Sequence, residues 1–160
     1  MISLKAFLMR NAILAALLFT IPAAMFLFSS SYSNVWLLYI GNILFSAIVL
    51  WAVIRVNHRV HDRASIRSMF AVGIKIMFYG LLIASVLCLI MLSVQSSMVS
   101  ASTAIDESPT QAGSDTRGDL VITLFTNTVL INAVLGTLAS LLGSSVAKGN
   151  QKTEQGKTVH

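Results

Sequence analysis

The side chains that could do chemistry in this chain are few, and their spacing excludes more than it offers. His58 and His61 stand three apart and would share a face if both were helical, which gives two positions of a metal site. Nothing supplies a third or fourth ligand, because Cys88 lies deep in an apolar run and His160 lies in the terminal tail. A metal site needs a closed set of ligands, so no metal is expected here. A single cysteine also excludes dithiol redox chemistry. There is no phosphate-binding glycine loop, no His/Glu metal motif and no Ser-His-Asp set. No carboxylate falls inside an apolar run, which argues against a proton-coupled carrier. The expectation is a protein that is not an enzyme and carries no cofactor.

Two other constellations point to contacts. The first is a stripe late in the chain, INAVLGTLASLLGSSVAKGN, where Asn132, Gly136, Ser140 and Ser144 recur every fourth residue. Ala139, Gly143 and Ala147 form a second such row beside it. Residues four apart lie on one helical face, and small-xxx-small rows let helix backbones approach closely in a membrane. Asn132, Gly136, Ala139, Ser140, Gly143 and Ser144 are therefore expected to form a helix-packing face. The sequence leaves open whether that face meets this chain's own helices, a second copy or another membrane protein. Asn42 and Ser46 are candidate partners for its polar members. The second constellation is basic: Arg55, Arg59, Arg63, Arg67 and Lys75 cluster around one connection. Each is expected to contribute on the order of 1 kcal/mol against anionic lipid headgroups. Lys75 lies just inside an apolar run, where its four-carbon stem can carry the charge back to the interface.

The elements that must position these residues follow from composition. The chain has 160 residues, 56% apolar and only 11% charged, with mean hydropathy +0.80. Soluble domains run at about 45–50% apolar and about 25% charged. A bilayer core takes about 20 apolar residues per helix, and residues 11–28, 35–54, 69–92 and 120–146 each qualify. The fold expected is all-α, a four-helix transmembrane bundle. The pI near 9.8 does not indicate nucleic acid, because the charge is sorted by connection. Of eleven basic residues, all but Arg117 fall on one side of a four-span arrangement. The positive-inside rule makes that side the cytoplasm, with both termini there. Trp36, Tyr32 and Tyr39 at the outer boundary and Trp51 near the inner one are expected interfacial anchors. Pro22 predicts a packing kink in the first span. That span is longer than the apolar core of a signal peptide, has no A-x-A site after it and is expected to stay uncleaved. Asp62 or Ser65 is expected to cap the third helix. Residues 96–118 are Ser-rich and acidic: the stretch can start as an extension of the third span, its middle predicts a mobile extracytoplasmic loop, and 148–160 predict a disordered tail.

The stretches ASIRSMFAVGIKIMFYG and NAVLGTLASLLGSSVAKGNQK, with the four-span plan around them, resemble a family of bacterial four-span membrane proteins. That family is known as a domain of unknown function and is common in the Bacteroidetes. The likeness lies in a polar turn leading into a Gly-containing third span and a small-residue fourth span ending in basic residues. Residues 96–118 depart from it in being more Ser-rich and less amphipathic. The resemblance implies a fold and a bacterial inner-membrane location, and no activity or site residues. The function expected is an accessory, assembly or interaction subunit working through the small-residue face of the fourth span. The alternative is lipid handling or small-solute transport through the basic cluster and the polar fourth span.

Overall fold

The computed structural model describes residues 4–29, 34–59, 65–103 and 113–157, with side chains over 4–29, 34–56, 65–96 and 118–148. Among them every regular element is helical. In chain order these are α1 (Leu4–Leu27), α2 (Trp36–Arg59), α3 (Ile66–Thr103), α4 (Gly113–Phe125), a π-helical turn (Thr126–Ile131) and α5 (Asn132–Lys157). The last three run on without a break as one fourth span.

Four stretches are long and apolar enough to cross a membrane: Leu4–Leu27, Trp36–Val56, Ile66–Ser96 and Gly118–Lys148, with mean hydropathies of 1.7, 2.3, 2.5 and 1.8. Their outward faces are apolar, with Ile43, Leu89, Ile122 and Val134 all exposed. A soluble bundle sorts the other way, with a polar outer face. This is the pattern of a multi-pass membrane protein.

The helices pack as a rhombus. α1 lies against α2 and α3, α5 lies against the same two, and α2 and α3 touch across the short diagonal. Two layers of contact result. The α1 layer is filled by Phe7, Phe19, Phe26 and Phe45 among alanines 12, 15, 16 and 23, all buried. Aromatic rings fit there because small residues face them: a Cβ at Gly80 would lie 3.0 Å from the Phe45 ring. Gln95 Nε2 donates to Leu27 O at 3.2 Å and ties the end of α1 to α3. In the α5 layer the fourth span supplies small and polar residues, which pack on Val53, Met69 and Met77.

Several boundaries differ from the sequence expectation, for physical reasons. α1 begins at Leu4 rather than near residue 11, so Lys5 and Arg10 sit on its first turns, both exposed. Pro22 is buried inside α1, and the helix continues through it. Ser65 takes the capping position of α3, its Oγ accepting the Ser68 N–H at 3.2 Å. Over 96–118, α3 continues to Thr103, the extension of the third span that the sequence allowed, and α4 starts at Gly113, while 104–112, the middle expected as a mobile loop, lies outside the described residues. A helix already nucleated extends at little cost until a breaker intervenes, and no Pro or Gly occurs in Ser96–Thr103. At 1.5 Å per residue, the 38 residues of α3 span about 57 Å against about 40–45 Å for a bilayer with headgroups. The tail expected to be disordered over 148–160 is helical to Lys157, as a continuation of α5. His61, Asp62, Arg63 and Tyr32 lie outside the described residues, as do the side chains of His58 and Arg59.

Candidate functional site

The fourth span carries the polar chemistry of the bundle. Its TNTVLI stretch sets the β-branched Thr126, Thr128, Val129 and Ile131 around Asn127, and this is where the helix loosens into a π turn. Here the Asn132 N–H reaches back five residues to Asn127 O. That closure matters for geometry. In an α-helix residues three or four apart share a face, whereas this turn brings Asn127 and Asn132, five apart, to the same buried side. Leu124, Asn127, Thr128 and Asn132 are all buried as a result. Such turns concentrate at functional sites.

Three helices meet at the turn. Asn42 on α2 donates its Nδ2 to Asn127 Oδ1 at 3.0 Å. Asn127 in turn donates Nδ2 to Thr123 O at 2.9 Å. Asn132 Nδ2 is shared between Asn127 O at 3.2 Å and Thr128 O at 3.3 Å. From α3, Cys88 Sγ lies 3.7 Å from Thr128 Oγ1. Asn42 is 1% exposed and Asn132 0%, yet Asn42 Oδ1 and Asn132 Oδ1 have no hydrogen-bond partner. A buried polar atom left unsatisfied costs about 1–3 kcal/mol, so two in one cluster call for an explanation. Beside the cluster, a groove of about 170 Å³ opens between α3 and the first half of the fourth span. Cys88 and Thr128 wall it on one side, and Leu89, Leu92, Val121 and Phe125 line the rest.

Toward the other end of the span, the small-residue face is turned inward. Gly136, Ala139, Ser140, Gly143 and Ser144 are buried with Asn132, against α2 and α3 of the same chain. A Cβ on Gly73 of α3 would meet Ser140 Oγ, and would lie 2.7 Å from Ser140 Cβ and 2.8 Å from Val53 Cγ2. Gly143 packs on Val53 and Gly136 on Met77. The hydroxyls bond within their own helix, Ser140 Oγ to Gly136 O at 2.7 Å and Ser144 Oγ to Leu141 O at 2.9 Å. Ser46 does the same on α2, to Ile43 O at 2.9 Å, so it does not reach the fourth span as Asn42 does.

The basic residues occupy one end of the bundle. Arg55, Arg67 and Lys75 are exposed, and the Arg55 guanidinium stacks 4.6 Å above the Trp51 ring. Among the described residues no group of three or more His, Cys, Asp or Glu side chains could hold a metal ion. Sequence reading singled out the face at 132–144 and the polarity of the fourth span. It missed the π turn, the glycine at 73 on the facing helix, and the amide cluster as a unit. The available signal was Asn42 and Asn127, each an uncompensated amide inside an apolar run. Comparison with protein-family models, curated proteins and solved structures finds no match for this chain.

Proposed function

We propose that this chain is a non-enzymatic inner-membrane protein of bacteria, with both termini cytoplasmic, that handles a small solute through the interior of its fourth span. One observation carries the reading. The face on which an accessory subunit would dock, Asn132 to Ser144, is spent on α2 and α3 of the same chain, and the π turn leaves acceptors inside the bundle without partners. Polar groups inside an apolar span are expensive to keep and are read by default as functional positions. The cytoplasmic orientation is supported by the sorting of basic residues. The likeness to four-span bacterial proteins rests on the residues quoted for it above. Arg55, Arg59, Arg63, Arg67 and Lys75 then hold anionic headgroups on the inner leaflet, a role supported by the exposure of Arg55, Arg67 and Lys75 at one end.

Native mass spectrometry of the protein extracted from its own membrane tests the choice between a solute-handling protein and an accessory subunit. The expected species is this chain alone, as one copy or a small homo-oligomer, carrying anionic lipid. A different protein retained in fixed stoichiometry overturns the reading and returns the chain to the accessory class.

A further inference from the structure

The basic residues do not form one patch, because the rhombus separates them. α2 and α3 touch along its short diagonal, so their exposed faces look in opposite directions. Arg55, stacked on Trp51, stands on the outer face of α2, whereas Lys75 stands on that of α3. The rows of α3 place Lys75 more closely. Gly73 and Met77 meet Ser140 and Gly136 of α5. The next row, Val72, Ile76 and Gly80, is buried, and a Cβ at Gly80 would lie 3.4 Å from Ala12 O of α1. The row beyond it holds Lys75 and Tyr79, both exposed, on the side away from α5. With α1 and α5 at opposite corners, that side is the seam between α1 and α3.

α1 brings a second lysine to this seam. Gly80 faces Ala12, and Gln95 bonds Leu27. Each pair is 68 residues apart in sequence, so the two helices run side by side in one direction and in register. Lys5 therefore comes level with Gly73, about 3 Å along the axis from Lys75. It precedes Ala12 by two helical turns, which puts it on the same α3-facing side, and it is exposed. Two ammonium groups thus flank one seam at nearly one height. Among the described side chains the one carboxylate is Asp119, exposed at the opposite end of the bundle. Like charges so placed repel, and what completes the pair is an anion.

Depth decides which anion. From Lys75 to Gln95 is twenty residues, about 30 Å of helix and the thickness of a hydrocarbon core. With the Gln95–Leu27 tie at one edge of that core, Lys75 lies at the other, where its stem carries the charge to the level of lipid phosphates. Tyr79, one turn deeper, supplies a phenol of the kind that settles at this boundary. Beyond it Met9, Ile13, Leu82 and Val86 are exposed and give acyl chains an apolar wall.

We infer that Lys5 and Lys75 form a site for the phosphodiester of an anionic phospholipid whose acyl chains lie along the seam between α1 and α3. The headgroup is one without a cation of its own, as in phosphatidylglycerol, because a choline or ethanolamine would set a third positive charge beside the two lysines. The inference rests on the reading of the basic residues as headgroup contacts. It brings Lys5 into that role and takes Arg55 out of this site. The test is native mass spectrometry of the full chain, stripped of lipid in detergent and titrated with phosphatidylglycerol, with phosphatidylcholine of the same acyl chains and with inorganic phosphate. The expected result is saturable binding of one phosphatidylglycerol in preference to phosphatidylcholine, undisturbed by an equal concentration of phosphate. Lys5→Gln and Lys75→Gln should each weaken it about fivefold. Lys75→Arg, which keeps the charge, should retain it, and so should Arg55→Gln. Weakening by Arg55→Gln or Arg67→Gln, with Lys5→Gln and Lys75→Gln like the parent, overturns the seam site and leaves the headgroup reading standing. Displacement of the lipid by inorganic phosphate overturns the lipid as its ligand. A parent that does not prefer phosphatidylglycerol overturns both the site and the headgroup reading.

Discussion

Gly73→Ala is the sharpest single perturbation of the bundle. Its added Cβ would lie 2.7 Å from Ser140 Cβ on α5 and 2.8 Å from Val53 Cγ2 on α2, where ordinary contact begins at 3.4 Å. Three helices would therefore have to part by roughly 0.6–0.7 Å, the difference between those distances, and packed interiors resist such shifts. Neither obstacle is the free end of a flexible chain. Ser140 Cβ is anchored directly to its backbone, and a valine in a helix has essentially one χ1 rotamer. Overpacking of this kind costs about 1–3 kcal/mol, partly offset by up to about 1 kcal/mol from replacing a helical glycine with alanine. A net loss of about 1–2 kcal/mol is expected. The assay is reversible unfolding of the purified protein in mixed micelles by SDS titration, followed by the fluorescence of Trp36 and Trp51. Gly118→Ala is the control, because a Cβ there meets nothing within 4 Å, and it should lose no stability and gain up to about 1 kcal/mol from the same helical preference. Adding Ser140→Gly to Gly73→Ala should recover part of the loss, with a coupling of about 1 kcal/mol in the double-mutant cycle. Recovery stays partial because Val53 remains in the way. A Gly73→Ala protein as stable as the parent, or a coupling of zero, would refute the three-helix crossing.

Two further outcomes follow from the same packing. Gly136→Ala places its Cβ 2.6 Å from Met77 Cγ and 3.0 Å from Met77 Sδ, but a thioether has free rotations, so the loss should be under about 1 kcal/mol in the same titration, smaller than at Gly73. In a Cys88→Ala background, single cysteines at Lys5 and Lys148 should be labelled by an impermeant maleimide from one side of right-side-out vesicles and those at Ser29 and Asp119 from the other. Labelling of Lys5 and Asp119 positions from the same side would contradict a four-span path.

The number of spans, their approximate places and the sorting of charge were legible along the chain, because they depend on local composition: a run such as 69–92 is too apolar and too long for anything but a spanning or deeply buried helix. The row at Asn132, Gly136, Ser140 and Ser144 was legible as a close-packing surface for the same local reason, since residues four apart share a face whatever lies opposite. Which helix lies opposite was not, because Gly73, Val53 and Met77 reach that face only through the rhombic packing, and they stand far from it in sequence. That the third span could run on past residue 96 was legible, but its reach to Thr103 was not, because Ser and Thr are poor helix formers alone yet continue a helix that the bundle has already nucleated. The amide site was decided by tertiary structure most completely of all. Composition yields three asparagines in apolar segments, but their facing one another depends on a π turn that re-phases the fourth span by one residue. The two bare oxygens depend in turn on which carbonyls each amide nitrogen meets once α2 is packed against that turn.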